Sequence, residues 1–153
     1  MTVPRTIDWT TISEDHFNEV VEALLVKEWT TPSGLRAEAI DGRGGDEGID
    51  VGVWRGDSLV HVFQLKYFRE GFSGYAKKTR RDQIAGSFER ALKAHPGLSD
   101  WSLVIPSKGS LPERKYVSLL SAGKAIRTHT MGSTQLDLLL AKHPELNRWA
   151  WRR

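Results

Sequence analysis

The chain has 153 residues, the usual length of one compact domain, so we expect a single domain over 1–153 with an ordered core over about residues 8–150. Lysine and arginine exceed aspartate and glutamate by 22 − 19 = 3, a small surplus that only weakly indicates a polyanionic partner. The chain has no cysteine, which excludes disulfides, thiolate zinc sites, iron–sulfur clusters and a cysteine nucleophile.

Hydrophobic periodicity predicts a mixed α/β domain with the order helix, three strands, helix, strand, helix, strand, helix. Apolar residues at helical spacing mark the helices, and alternation with period two marks the strands. The first predicted helix begins at Ser13 and ends at the turn 30–34, and it is followed by a strand at 35–40, a glycine-dense turn at 41–48 and strands at 49–54 and 59–66. The second predicted helix comes after the basic segment 69–81 and ends at His95 and Pro96. The remaining predicted elements are a strand at 101–105, a helix at 113–120, a strand at 125–131 and a helix at 136–141.

The two strands around the turn at 56–57 are predicted to pair as a hairpin. Opposing residue numbers then sum to 113 or 114, so Asp50 faces Gln64 or the residue before it. Alternation along the second strand puts Val60, Gln64 and Lys66 on one face. We therefore expect Asp50, Gln64 and Lys66 to converge on one patch.

The residue types in this patch favour metal-dependent chemistry. The Asp50 carboxylate and the Gln64 amide carbonyl are hard oxygen ligands suited to Mg²⁺, for which Mn²⁺ commonly substitutes. A lysine beside them, here Lys66, can hold a phosphate oxygen or orient and help deprotonate an attacking water.

The same residues resemble a known family. Gly-Gly-Asp-Glu-Gly-Ile-Asp at 44–50 and Phe-Gln-Leu-Lys at 63–66 resemble the Mrr-like branch of the PD-(D/E)xK nucleases, in which Gln commonly replaces the second acid. The resemblance covers most of the chain, and its later part is similar to nuclease effector domains of bacterial antiphage STAND-type NTPases. It implies an α/β fold with a restriction endonuclease-like core, in which helices flank a mixed central β-sheet.

The resemblance also implies an activity and roles for three residues. Asp50 becomes the central metal ligand, Gln64 the second ligand and Lys66 the catalytic lysine. The implied activity is Mg²⁺-dependent endonucleolytic cleavage of DNA, most simply double-stranded, in restriction or antiphage defence. A homodimer or the effector part of a larger defence assembly is the implied state of the chain.

Many members of this family add a glutamate from the first helix to the metal site. The usual position holds Asn18 here, so we expect Glu22, one turn later on the same flank, to supply the additional acid. Glu19 and Asp46 are the alternatives for completing the site.

The segment after Lys66 combines basic and aromatic residues, as in surfaces that follow a phosphate backbone. The alternative interpretation is a solvated loop and helix face. The predicted nucleic-acid-binding residues are Arg43, Tyr67, Arg69, Lys77, Lys78, Arg80 and Arg81.

Two further hypotheses remain open from the sequence. The neutral Gln64 and the departure at Asn18 suit a nuclease-like module that binds nucleic acid or protein without catalysis. A structure-selective nuclease of the junction-resolving kind is the second.

The first eight positions lack the apolar core of a signal peptide, and no apolar run approaches the roughly 20 residues that span a bilayer. Together with the missing cysteine, this predicts a cytoplasmic protein without a membrane partner.

Overall fold

A five-stranded mixed β-sheet with helices on both faces forms the centre of the computed structural model, which describes residues 7–40 and 49–150. The strands lie in the sheet in chain order and are β1 (Leu35–Ala39), β2 (Val51–Arg55), β3 (Ser58–Leu65), β4 (Asp100–Val104) and β5 (Arg127–Met131). The helices are α1 (Glu14–Trp29), α2 (Lys78–Ala94), α3 (Leu111–Leu120), α4 (Ser133–Lys142) and α5 (Pro144–Ala150). The predicted α/β class with a mixed sheet is confirmed.

Strand direction changes once across the sheet. β1, β2 and β3 pair antiparallel, whereas β3, β4 and β5 pair parallel. Parallel neighbours need a crossover, and α2 and α3 provide it. Because the carboxyl ends of β3, β4 and β5 share one edge, the residues that follow these strands meet there.

The two faces of the sheet pack against different helices. α1, α4 and α5 cover one face, called here the α1 face, and α2 and α3 cover the other, called the α2 face. The sheet residues buried on the α1 face are Ala37, Val51, Val53, Phe63, Leu65 and Val104. Those buried on the α2 face are Leu59, Val62, Trp101 and Leu103.

α1 begins and ends where the sequence predicts. The Ser13 side chain accepts the His16 backbone N–H at 3.1 Å and caps the first turn. The apolar stripe is buried on the α1 face and consists of Phe17, Val20, Val21, Leu24 and Leu25. Burial of this stripe, more than helix propensity, fixes the helix on the sheet.

The β2–β3 hairpin has the predicted turn and both predicted registers. Gly56 has a φ of +61°, and a positive φ at only the first turn residue fits a type II′ turn. Val51 lies opposite Phe63, and Arg55 lies opposite Ser58, so opposing numbers sum to 114 and then to 113.

The prediction that Val60 shares the face of Gln64 and Lys66 is wrong. The register shift is a β-bulge that leaves Val60 without a direct partner in β2. Val60 therefore packs on the α1 face, and Leu59 takes the place on the α2 face. Over 61–66 the alternation is as predicted.

Other differences lie near the ends of elements. α3 begins at Leu111 because Ser110 and Glu113 form a reciprocal capping box in front of it. α5 was not predicted from the sequence, although its residues pack against α1 and α4. The predicted glycine-dense turn at 41–48 lies outside the described residues.

Within 7–40 and 49–150, no helix has both the length and the apolar character needed to cross a membrane.

Candidate active site

Asp50 and Gln64 meet at the end of the β2–β3 hairpin. Asp50 directly precedes β2, and its backbone N–H donates to the Phe63 carbonyl at 3.1 Å, which continues the hairpin pairing. The Gln64 amide Nε2 donates to Asp50 Oδ2 at 2.9 Å. The contact that the hairpin register predicts is therefore present.

Asp50 is half-buried and has few hydrogen-bond donors for its charge. Burial raises the pKa of the carboxyl group, and the Leu65 backbone N–H and the Lys66 ammonium only partly oppose this effect. The Leu65 N–H donates to the same Oδ2 atom at 2.7 Å. A cation at this carboxylate would stabilise its ionised form.

The Gln64 side chain is bonded to Asp50 through its nitrogen, and its carbonyl oxygen is buried. Its amide orientation is fixed, because exchange of Nε2 and Oε1 would bring the carbonyl oxygen against the Asp50 carboxylate. In the described part of the chain, no hydrogen-bond partner reaches the buried Gln64 Oε1. An unsatisfied buried acceptor costs about 1–3 kcal/mol, which a bound cation would offset.

Lys66 follows Gln64 on the same face at the carboxyl end of β3. Its backbone N–H donates to the Val104 carbonyl at 3.0 Å and anchors the residue to β4. Burial lowers the pKa of the ammonium group, Asp50 raises it, and the Arg90 guanidinium lowers it further. Lys66 is thus a half-buried cation beside the Asp50 carboxylate.

The donor set fits a hard divalent cation that keeps waters or substrate oxygens as further ligands. Asp50 offers a carboxylate, and Gln64 offers the buried carbonyl oxygen that lacks a donor. Mg²⁺ is commonly bound through one or two carboxylates together with waters and phosphate oxygens. No group of three or more histidine, aspartate or glutamate residues suited to a metal occurs in the described ranges.

Glu22 and Glu19 belong to α1, which covers the α1 face, whereas Gln64 and Lys66 lie on the α2 face. Both glutamates line an open groove of about 520 Å³ beside β1. The role of Glu22 as a third ligand, with Glu19 as its alternative, stays a prediction.

Two further candidates, Asp46 and Arg43, lie outside the described residues.

The basic residues at the start of α2 hold the preceding loop. Arg80 donates to the Gly71 carbonyl at 2.7 Å. Arg81 donates to the carbonyls of Phe72 and Gly74, at 3.0 and 2.6 Å. These bonds give both arginines a structural role in the loop, in addition to any contact with nucleic acid.

The two predicted lysines of this segment also have local partners. Lys77 donates to the Glu70 carbonyl, and Lys78 forms an exposed ion pair with Asp82 at 2.8 Å. Exposed pairs of this kind are weak, so both ammonium groups can exchange these partners for a phosphate.

Tyr67 is a packing residue. Its hydroxyl donates to the Ile12 carbonyl, and its ring packs against Phe17 in the α1-face cluster. Arg69 is exposed and lies over the Tyr67 ring, with 5.9 Å between the guanidinium carbon and the ring centroid. Of these two, Arg69 is the one positioned to contact a ligand.

Arg90 of α2 affects the electrostatics of the site, and the sequence did not reveal it. Its guanidinium contributes to lowering the pKa of Lys66, which lies 24 positions earlier in the chain, and no motif marks Arg90. A helical wheel of α2 shows only that Arg90 lies one turn after Gly86 and Ser87.

No protein-family model matches the chain, and no curated protein matches it either. The resemblance to Mrr-like nucleases therefore stays a prediction from the sequence, based on the residues at 44–50 and 63–66.

Proposed function

We propose that the protein is a Mg²⁺-dependent endonuclease that hydrolyses phosphodiester bonds in double-stranded DNA. The observation that carries the proposal is the Asp50–Gln64 pair, in which a carboxylate of raised pKa adjoins a buried carbonyl oxygen to which no residue within 7–40 and 49–150 donates a hydrogen bond. Lys66 on the same face supplies the positive charge that such a reaction needs.

The three residues would divide the work as follows. Asp50 and Gln64 would hold Mg²⁺, which when bound would supply Lewis-acid polarisation of the scissile phosphate. Lys66 would position the attacking water and offset the negative charge that develops on the phosphate oxygens. The half-buried setting of Asp50 and Lys66 strengthens these interactions relative to those in bulk water.

The architecture supports a restriction endonuclease-like core. The antiparallel β1–β3 unit, the α2 crossover and the parallel β4 follow the order that the resemblance implies. The pair at the carboxyl edge of β3 also occupies the usual place of a ligand site in such sheets. We extend the proposal to a cytoplasmic role in restriction or antiphage defence, with dimerisation allowing two sites to cut both strands.

Incubation of a supercoiled plasmid with Mg²⁺ or Mn²⁺ tests the proposed activity. The unaltered chain should nick and linearise the plasmid, and Asp50→Ala and Lys66→Ala should lose this activity. Asp57→Ala is the matched control, because Asp57 is an exposed acid in the turn of the same hairpin. Equal digestion by Asp50→Ala and the unaltered chain would contradict the proposal.

The neutral Gln64 favours one second candidate function. The Asp50–Gln64 pair itself contains a single carboxylate, because Gln64 is an amide. This suits a module that binds nucleic acid or protein without catalysis. Calorimetry separates the two functions, since a pure binding module has no divalent-ion site that depends on Asp50.

A junction-type nuclease would instead cut branched DNA and leave linear duplexes intact.

A further inference from the structure

Tyr75 is an exposed aromatic residue between β3 and α2. Its side chain is 100% exposed, more than any other large apolar side chain in the described ranges. Its neighbours in the chain, Gly74 and Ala76, are small, and a Cβ atom placed on Gly74 would meet no heavy atom within 4 Å. Both faces of the Tyr75 ring are therefore open to a ligand.

The other aromatic side chains of this segment have contacts within the fold. Tyr67 packs in the α1-face cluster, and Phe72 is fully buried. The Arg80 guanidinium carbon lies 5.3 Å from the centroid of the Phe68 ring. Tyr75 differs from these three aromatic residues because its whole ring is exposed to solvent.

The backbone of the loop that carries this tyrosine is anchored to its surroundings. The Arg81 side chain donates to the Gly74 carbonyl at 2.6 Å, and the Lys77 backbone N–H donates to the same carbonyl at 3.2 Å. The Ser73 backbone N–H donates to the Glu113 carboxylate at 3.3 Å. A side chain on an anchored backbone loses less conformational entropy when it binds a ligand.

The segment 69–82 around this ring is basic. It contains five basic and two acidic residues, so its net charge is 5 − 2 = +3, equal to the surplus of the whole chain. Lys77 and Lys78 have exposed local partners, which a phosphate can replace. An open aromatic ring among cations suits a nucleic acid strand with unpaired bases, because the ring can stack on a base while the cations bind phosphates.

We propose that the segment 69–82 binds single-stranded nucleic acid, with the Tyr75 ring stacked on an unpaired base and with Lys77 and Lys78 in contact with adjoining phosphates. The inference goes beyond the proposed nuclease function, because it assigns a separate binding surface that requires no metal ion. Stacking depends on the face of a base and not on its hydrogen-bonding edge, so we expect little sequence preference.

Binding of labelled single strands in EDTA tests the inference. The probe is an all-thymine DNA strand of about 16 nucleotides, the upper end of the usual site size, and the comparison is an abasic strand of equal length and charge. The unaltered chain should bind the thymine strand more tightly than the abasic strand. Tyr75→Ala should lower affinity for the thymine strand roughly five- to hundredfold, the usual effect of losing one stacked base, and leave affinity for the abasic strand unchanged.

Three further variants separate the ring from its charged surroundings. Tyr75→Phe keeps the ring and should bind both strands as the unaltered chain does. Lys78→Ala should weaken binding of both strands by the same factor and reduce the slope of log affinity against log salt by about 0.7. Leu138→Ala is the matched control, because it removes an exposed apolar side chain from α4 and should change neither affinity. Thermal unfolding checks that each variant is folded.

Equal affinity of the unaltered chain for the thymine and abasic strands would overturn the inference. A Tyr75→Ala variant that binds the thymine strand as tightly as the unaltered chain, or that loses the same factor for both strands, would also overturn it. Because no divalent ion is present, base-dependent binding through Tyr75 supports the inference whether or not the chain cleaves DNA. Cleavage that depends on Asp50, together with binding that does not depend on the bases, would support the proposed function and reject this inference.

Discussion

Glu113 and Asp50 are two carboxylates of this protein that accept backbone N–H groups, yet their pKa values shift in opposite directions. Burial opposes ionisation of Glu113, which is 5% exposed, but its hydrogen bonds outweigh burial and lower the pKa. The donors are the backbone N–H groups of Ser110, Phe72 and Ser73. Glu113 thus joins the start of α3 to the loop before α2.

At Asp50, burial outweighs the hydrogen bonds. One backbone N–H, from Leu65, and the Gln64 amide reach its Oδ2 atom, and burial prevails so that the pKa is raised. Burial alone therefore does not identify a functional acid. A carboxylate with enough N–H donors holds the fold, whereas one short of donors beside an unbonded carbonyl oxygen is suited to a cation.

The largest expected effect is the loss of cleavage in Asp50→Asn. The amide keeps an acceptor for the Leu65 N–H but loses the negative charge for Mg²⁺, so the cleavage rate should fall by about 10²–10³-fold or more. The free energy of unfolding should stay within about 1 kcal/mol of the unaltered chain, because a desolvated charge is removed. Plasmid cleavage and urea unfolding check the two expectations. A strongly destabilised Asp50→Asn would place Asp50 with Glu113 as a structural acid.

Glu113→Gln should show the reverse pattern. The amide places its NH₂ either against the Ser110 N–H or against the N–H groups of Phe72 and Ser73, so at least one backbone donor loses its acceptor and the free energy of unfolding should fall by about 2 kcal/mol. Cleavage by the folded fraction should be unchanged, and urea unfolding with parallel cleavage assays measures both. Lost cleavage with full stability would break the contrast between the two carboxylates.

His61, in the middle of β3 and on the face opposite to Gln64, provides a pH test of a structural group. Burial lowers its pKa from 6.5 to about 4, with Asp100 opposing and with His129 and Arg127 reinforcing the shift. The unfolded chain therefore binds more protons between these values, and stability falls as the pH decreases through this window. The expected loss between pH 7 and pH 5 is about 2 kcal/mol.

Urea unfolding at both pH values measures this loss, and His61→Gln should remove most of the pH dependence. In the unaltered chain, His61 Nε2 and Ser102 Oγ are 2.7 Å apart, and the glutamine can still form a hydrogen bond with Ser102. An equal pH dependence in His61→Gln would show that another group causes it.

Gln64→Glu should strengthen the response to metal. A second carboxylate beside Asp50 repels it without a cation, so the melting temperature should fall in EDTA. Mg²⁺ should then restore stability at about tenfold lower concentration than the unaltered chain requires for a thermal shift. Differential scanning fluorimetry with Mg²⁺ titrations measures both effects. Gln64→Met is the control that removes both polar atoms, and a Mg²⁺ response in that variant would exclude Gln64 as a ligand.

The smallest effect concerns Arg81. Loss of its bonds to the carbonyls of Phe72 and Gly74 in Arg81→Ala should lower the free energy of unfolding by about 1 kcal/mol. Duplex affinity should stay close to that of the unaltered chain. A large loss of affinity at full stability would instead make Arg81 a phosphate contact, as predicted from the sequence.

Local patterns predict the parts of the fold that local physics decides. The Ser13 cap and the apolar stripe after it define α1, and the turn at Gly56 brings Asp50 opposite Gln64. The bulge at Val60 could not be predicted, because strict alternation offers no signal of an unpaired residue.

The rest of the site depends on tertiary structure. Glu22 has the right spacing on its helix, but the face of the sheet that this helix covers is set by packing. The effect of Arg90 on the pKa of Lys66 depends on the α2 crossover, and two of the three backbone donors of Glu113, those of Phe72 and Ser73, lie 41 and 40 residues earlier in the chain. Neither of these long-range relations can be predicted from a local sequence pattern.

A crystal structure with Mn²⁺ would show whether Asp50 and Gln64 form a divalent-cation site. The expected result is an anomalous peak about 2.1 Å from an Asp50 carboxylate oxygen and from Gln64 Oε1, and its loss in Asp50→Ala. A structure without an ion there, in which a hydrogen-bond donor occupies Gln64 Oε1, would contradict the claim.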